Sequence, residues 1–119
     1  MKLTIEVQGG PFHPGDTVGG TLHVAEDGRS RSLAVALAYR ERTADYSAVA
    51  TAVTTGPLTE GDLTPGQAVP FSLALPSDAL PGLSGPNGSL GWELEARSDE
   101  LGLDTTARLP VPVLARPRR

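Results

Sequence analysis

Alternation of apolar and polar residues with a period of two runs through most of this chain. Leu3, Ile5 and Val7 alternate with Lys2, Thr4 and Glu6, which predicts a first strand over 2–7, closed by Gly9-Gly10-Pro11. Val18, Gly20, Leu22 and Val24 share one face of a second strand over 17–24, entered through the turn residues Pro14-Gly15-Asp16. Glu26-Asp27-Gly28 has the Asp-Gly order favoured in hairpin turns. Beyond it Leu33, Val35, Leu37 and Tyr39 alternate with Ala34, Ala36 and Ala38. The alanines suit a helix, but the large residues recur at every second position, and this predicts a third strand ending near Arg42.

A fourth strand is expected over 48–55, where Val49 and Val53 sit among alanines and threonines and the two faces are poorly distinguished. Gly56-Pro57 breaks the chain, and the polar segment 59–66 ends in the turn Pro65-Gly66. Val69, Phe71, Leu73 and Leu75 give the cleanest alternation and predict a central core strand, stopped by Pro76. Residues 77–88 carry Pro81, Gly82, Gly85, Pro86, Asn87 and Gly88 and read as a long loop. Leu90, Trp92, Leu94 and Ala96 then oppose Gly91, Glu93, Glu95 and Arg97, giving one apolar face and one charged face expected to meet water. A turn over 98–103 leads to a last strand through Thr105, Ala107, Leu109, Val111 and Val113. Pro110 and Pro112 cannot donate to a ladder, so this strand should lie at an edge.

About seven short strands separated by turn residues specify an all-β fold, an antiparallel immunoglobulin-like sandwich. A length of 119 residues suits one such unit, and 14 glycines and 11 prolines suit its many tight connections. The expected organisation is a sandwich over 1–114 followed by a basic tail over 115–119 containing Arg116, Arg118 and Arg119. With no cysteine, neither a disulfide framework nor a thiolate metal site is available.

A net charge of −4 and a single lysine, Lys2, argue against a nucleic-acid partner. The first residues read as a strand without the apolar centre of a signal peptide, and no apolar run is long enough to cross a bilayer. The expectation is a soluble, cytoplasmic protein.

Three stretches in order resemble the arrestin-like superfamily. Pro14-Gly15-Asp16-Thr17-Val18-Gly19-Gly20-Thr21-Leu22-His23-Val24 is similar to its proline-glycine turn and acidic residue leading into a strand of the form V-x-G-x-h-x-h, with h apolar. Val69-Pro70-Phe71-Ser72-Leu73-Ala74-Leu75-Pro76 resembles the strand that ends in proline before a Pro- and Gly-rich loop, and Leu90-Gly91-Trp92-Glu93-Leu94-Glu95-Ala96 resembles the strand after it. The likeness extends to the closing Leu109-Pro110-Val111-Pro112-Val113. It is to one half of the bacterial sporulation-control proteins of this superfamily, which carry two sandwiches where this chain has room for one. No segment resembles the short amphipathic helix of vertebrate arrestins, and their buried charged cluster has no placement here. The resemblance implies an arrestin-like β-sandwich acting as a non-catalytic adaptor or scaffold for protein partners; fold by itself does not fix function.

The residues offer little chemistry against that expectation. His13 and His23 are the only histidines, one beside a turn and one on the polar face of the second strand, so a nucleophile–base pair has few members to draw on. Asp99, Glu100 and Asp104 cluster in one loop and Glu60 and Asp62 in another; a calcium-binding or small-ligand sandwich is the alternative reading, although the spacing matches no recognised calcium loop. No catalytic residue, cofactor or metal is expected. Trp92 and Tyr39 belong to the core by alternation, and glycines 19 and 20 suit a bulge or a close sheet contact. Phe12 and Tyr46 fall in connections, where an aromatic either meets a partner or tucks back onto the sandwich. Phe12, His13 and Tyr46 are therefore the candidate partner-binding residues, together with the 77–88 loop and any sheet edge open to β-augmentation or self-association.

Overall fold

The alternating segments pair as strands in a computed structural model that describes residues 1–115. The expected basic tail, apart from Ala115, lies outside the described residues. The described strands are β1 (Lys2–Gln8), β2 (Thr17–Glu26), β3 (Gly28–Arg42), β4 (Ser47–Thr54), β5 (Thr59–Leu63), β6 (Ala68–Ala74), β7 (Leu83–Gly85), β8 (Gly88–Asp99) and β9 (Thr105–Val111). A three-stranded sheet has the order β1-β2-β6. A six-stranded sheet has the path β4-β3-β8-β7, with β5 also on β3 and β9 also on β8. All of these ladders are antiparallel. The architecture is the antiparallel sandwich expected, with nine strands in place of about seven.

The core is the sum of the inner faces read from the alternation. Leu3, Val18, Leu22 and Val24 of the smaller sheet, with Val69, Phe71 and Leu73, face Leu33, Val35, Leu37, Tyr39, Trp92, Leu94 and Ala96 of the larger one, all buried. Tyr39 lies directly opposite Trp92, with ring centroids 5.1 Å apart and planes tilted by 43°. That cross-strand aromatic pair adds specific ring geometry to simple burial. One polar pair joins this interior: Ser98 donates its hydroxyl to the Ser30 Oγ at 2.7 Å, and both residues are buried.

Four expectations need correction. Asp27-Gly28 does not close a hairpin, because β2 and β3 belong to different sheets and do not pair. The chain turns a corner there, from one layer of the sandwich to the other. The segment 59–66 is not only loop, since Thr59–Leu63 forms β5 and buries Leu63. Leu83–Gly85 likewise forms β7 within the supposed long loop, turning through Pro86 and Asn87 onto β8. Finally, β6 is an edge strand, pairing among the described strands with β2 alone; its alternation reports one buried face and says nothing of how many neighbours flank it. The last strand, β9, is an edge as its prolines require, paired only with β8.

Gly20 is where sheet packing demands a missing side chain. A Cβ there would run into the Glu6 carbonyl of β1 and come within 2.9 Å of the Phe71 ring of β6. Gly19 is not constrained in this way, the nearest atom to its Cβ position being the Phe71 carbonyl oxygen at 3.8 Å.

Candidate interaction surface

Strand direction gathers several connections at one end of the sandwich. Gln8 pairs with Gly19, Thr17 with Ala74, Arg42 with Ser89 and Trp92 with Val111, so the segments 9–16, 43–46, 75–82 and 112–115 leave the sheets on the same side. Backbone and side-chain bonds stitch three of them together. Phe12 donates its amide to Pro112 O at 2.9 Å and Leu114 donates to Phe12 O at 2.8 Å. Gly15 bonds Pro76 O at 3.2 Å, and Gly82 bonds Val113 O at 3.1 Å. The core aromatics anchor the middle of this layer: Tyr39 donates its hydroxyl to Pro81 O at 3.0 Å, and the Trp92 indole N–H reaches Leu80 O at 2.8 Å.

These contacts decide the fate of the candidate residues. Phe12 is only 6% exposed and belongs to the core, so its ring is not available to a partner. The cause is its parallel bridge to Val113, which draws the loop inward against the chain end. His13 stays half-exposed; its amide donates to Asp16 Oδ2 at 2.8 Å, holding the turn before β2. Tyr46 is 56% exposed, in a tight β3–β4 connection closed by the bond from the Thr43 amide to Tyr46 O. All three residues lie at the same end of the sandwich, but His13 is held against Asp16 and Tyr46 against Thr43.

Between the β3–β4 connection and the β7–β8 hairpin lies an open groove of about 340 Å³, lined among others by Arg42, Thr43, Leu83, Ser84 and Leu90. Gly88 makes this arrangement possible. Its φ of +156° and a Cβ position only 2.5 Å from Arg42 O leave no room for a side chain, so the hairpin lies directly on the end of β3. Leu83 lines this groove and Leu80 lies three residues before it; each is 61% exposed, in the 77–88 segment that the sequence marks as a candidate partner-binding loop. The signal for them was present: two leucines among prolines and glycines, with no regular alternation that would turn them into the core.

The outer face of the larger sheet carries a charged network that alternation placed in water. Glu93 is instead buried, accepting from Arg40 Nε at 2.7 Å and from Arg42 Nη2 at 2.8 Å. Arg108 of β9 donates to Glu95 Oε2 at 2.9 Å, and Arg40 Nη2 lies 3.6 Å from the same oxygen. Glu93 sits opposite Ala38 on one side and Pro110 on the other, and these short side chains let the flanking arginines close over the carboxylate. Burial by itself would raise the Glu93 carboxyl, but hydrogen bonds from Arg42 and Arg40, and then their charges, outweigh it and hold it below the usual range.

The carboxylates around the β8–β9 connection are also engaged. Asp99 accepts from Arg31 at 2.8 Å, while Asp104 and Glu100 accept from the Glu100 and Thr105 amides and so shape the β8–β9 tip. Among the described residues no group of three His, Asp or Glu side chains is placed to hold a metal ion. His23 faces Glu6 across β1 and β2, with 3.1 Å between Nε2 and Oε2. No helix of the described residues is long and apolar enough to cross a membrane.

No protein-family model matches the chain, and no curated protein matches its sequence. Among solved structures, the crystal structure of Spo0M, a sporulation control protein from Bacillus subtilis, is similar with a TM-score of 0.71 and 21% sequence identity. The likeness covers 97% of this chain and 49% of the Spo0M chain, so the sequence spans about half the length of that neighbour. Two antiparallel sheets in this order, superposing over nearly all of the chain, give the protein an arrestin-like fold.

Proposed function

We propose that this chain is a non-catalytic, arrestin-like protein-interaction module of the adaptor or scaffold kind. The observation that carries the reading is the end surface around the β7–β8 groove. Leu83 is more than half exposed in the groove lining, beside Ser84, Ser89 and Arg42, and Leu80 and Tyr46, in the connections at the same end of the sandwich, are also more than half exposed. Exposed apolar side chains with a polar rim are the usual mark of a protein contact. The arrestin-like fold supports the same reading as an analogy of architecture. The regulatory name of Spo0M belongs to that protein; for this chain a regulatory setting is part of the proposal.

The test is affinity purification from the native cell with quantitative mass spectrometry, run in parallel on the wild type, Leu83→Asp with Tyr46→Asp, and Leu101→Asp with Leu103→Asp. Leu101 and Leu103 are 93% and 94% exposed at the β8–β9 tip, the opposite end of the sandwich, and serve as a control for surface charge. Partners retained by the wild type and the tip variant, and lost by Leu83→Asp with Tyr46→Asp, are the expected outcome. Identical partner sets for all three proteins would remove this surface from consideration.

A further inference from the structure

Among the described strands, the sheet edges of this sandwich are protected in all places but one. In β6, Pro70 interrupts the edge and Pro76 follows it; in β9, Pro110 does the same and Pro112 follows. β1 sets Lys2 and Glu6 along its length and lies against β9 at the rim of the sandwich. β5 is five residues long and carries Glu60 and Asp62, and β7 is three residues long. Prolines, charges and brevity are the ordinary defences of a strand that has lost one neighbour. β4, with the sequence Ser-Ala-Val-Ala-Thr-Ala-Val-Thr, has no charge, proline or glycine over its eight residues, and Ala50, Thr51 and Ala52 are exposed in succession.

The ladder shows which of its peptide groups are free. Thr55 donates its amide to Val35 O at 2.9 Å, and the pairing continues as Ala36–Thr54, Leu37–Val53, Ala38–Ala52 and Tyr39–Thr51. Antiparallel bonds alternate, so the N–H and C=O groups of Ala52 and Thr54 point away from β3, and among the described residues β4 has no other paired neighbour. A bulge between Tyr39 and Arg40 skips Ala50 and ends the regular run on one side. Gly56, at φ +71°, and Pro57 end it on the other. The free segment is therefore 51–55, with Val53 at its centre.

The geometry points to this segment as a self-association edge, at which β4 of a second copy of the chain pairs antiparallel across a two-fold axis through Val53. In that register Ala52 meets Thr54 of the second copy and exchanges both backbone bonds with it, giving about four interchain bonds. The two Val53 residues face each other at a non-hydrogen-bonded position, where side chains approach most closely and a β-branched pair is favourable. Val53 already packs against the rim of the hydrophobic core, so the contact joins the two cores along one continuous sheet. No like charges come opposite each other, because 47–55 is uncharged. The contact is isologous and closes at a dimer. This inference stands apart from the end-surface reading, which uses neither β4 nor a second copy.

Sedimentation equilibrium of the full chain between about 10 μM and 1 mM tests it, since a contact this small gives a weak, concentration-dependent dimer. The wild type should approach twice the monomer mass. Ala52→Pro, which removes an outward N–H without touching the ladder to β3, should remain monomeric with unchanged circular dichroism and melting temperature. The chain has no cysteine, so register can be read directly: Val53→Cys should form an interchain disulfide on mild oxidation, and Thr51→Cys should not. A wild type that stays monomeric across the range overturns the inference, as does an Ala52→Pro protein that associates like the wild type. A monomer that instead captures an extended foreign peptide through Ala52 also overturns it, by assigning the edge to another protein.

Discussion

Arg40 donates its Nε–H to Glu93 Oε1 at 2.7 Å from one strand to the next, while Arg42 occupies the second carboxylate oxygen at 2.8 Å. The carboxylate is buried, whereas Arg42 stays half-exposed. Removing the acid therefore leaves Arg40 as the more poorly solvated partner. Glu93→Ala should lower stability by about 3 kcal/mol in urea denaturation, the low end for breaking a buried ion pair, because Arg42 can turn to water.

Glu93 also fixes the sign of a pH dependence. Its carboxyl is held below its ordinary value of 4.5 in the folded chain, so the folded state binds fewer protons than the unfolded state near that pH. The stability it contributes is present above the unfolded value and is lost as pH falls through the depressed folded value. Thermal melts between pH 7 and pH 3 should show a fall in stability below about pH 4.5, and Glu93→Gln should flatten part of that fall.

Gly20 and Gly19 are neighbours with opposite tolerances. Gly20→Ala forces a methyl group into the Glu6 carbonyl and the Phe71 ring, and neither backbone nor buried ring can yield cheaply. A loss of about 3 kcal/mol or failure to fold is expected for Gly20→Ala, against less than about 1 kcal/mol for Gly19→Ala. Comparison of their melting curves checks this.

The Ser30–Ser98 pair should behave as a unit. Ser98→Ala removes the hydroxyl that satisfies Ser30 and leaves a buried polar group unpaired, at a cost of about 1–2 kcal/mol. Adding Ser30→Ala removes the orphan and should cost little more, or recover part of the loss. A double-mutant cycle by chemical denaturation measures the coupling.

Trp92 ties the core to the end surface through its indole N–H. Trp92→Phe keeps an aromatic ring against Tyr39 but drops the bond to Leu80 O. The expected result is a loss of about 1–2 kcal/mol and faster hydrogen exchange in residues 79–83, with little change in β2 or β6.

Most strands were legible because apolar and polar residues alternate along them and the apolar face turns into the core. β1, β2, β3, β6, β8 and β9 all follow from that alternation; glycines 19 and 20 alike suited a bulge or a close sheet contact, and of the two Gly20 makes the contact. β5 and β7 were not. β5 reads Thr-Glu-Gly-Asp-Leu and buries only Leu63, while β7 is three exposed residues between breakers, so neither carries a period. The exposure of the candidate aromatics was partly legible. Connections with aromatics marked Tyr46, but the same reasoning marked Phe12, whose burial comes from a bridge to Val113, a residue about a hundred positions away.

The sequence by itself determined the all-β class, the inner faces of the sheets and the proline-protected edge at β9. These are local properties, set by the two-residue period of a strand and by turn residues with restricted backbone angles. Only the tertiary structure decided that β6 is an edge, that Asp27-Gly28 turns a corner between sheets, that Glu93 is enclosed by arginines and that β4 is left open. Each of these depends on which strand lies beside which, and pairing between distant segments is fixed by the packing of both layers together.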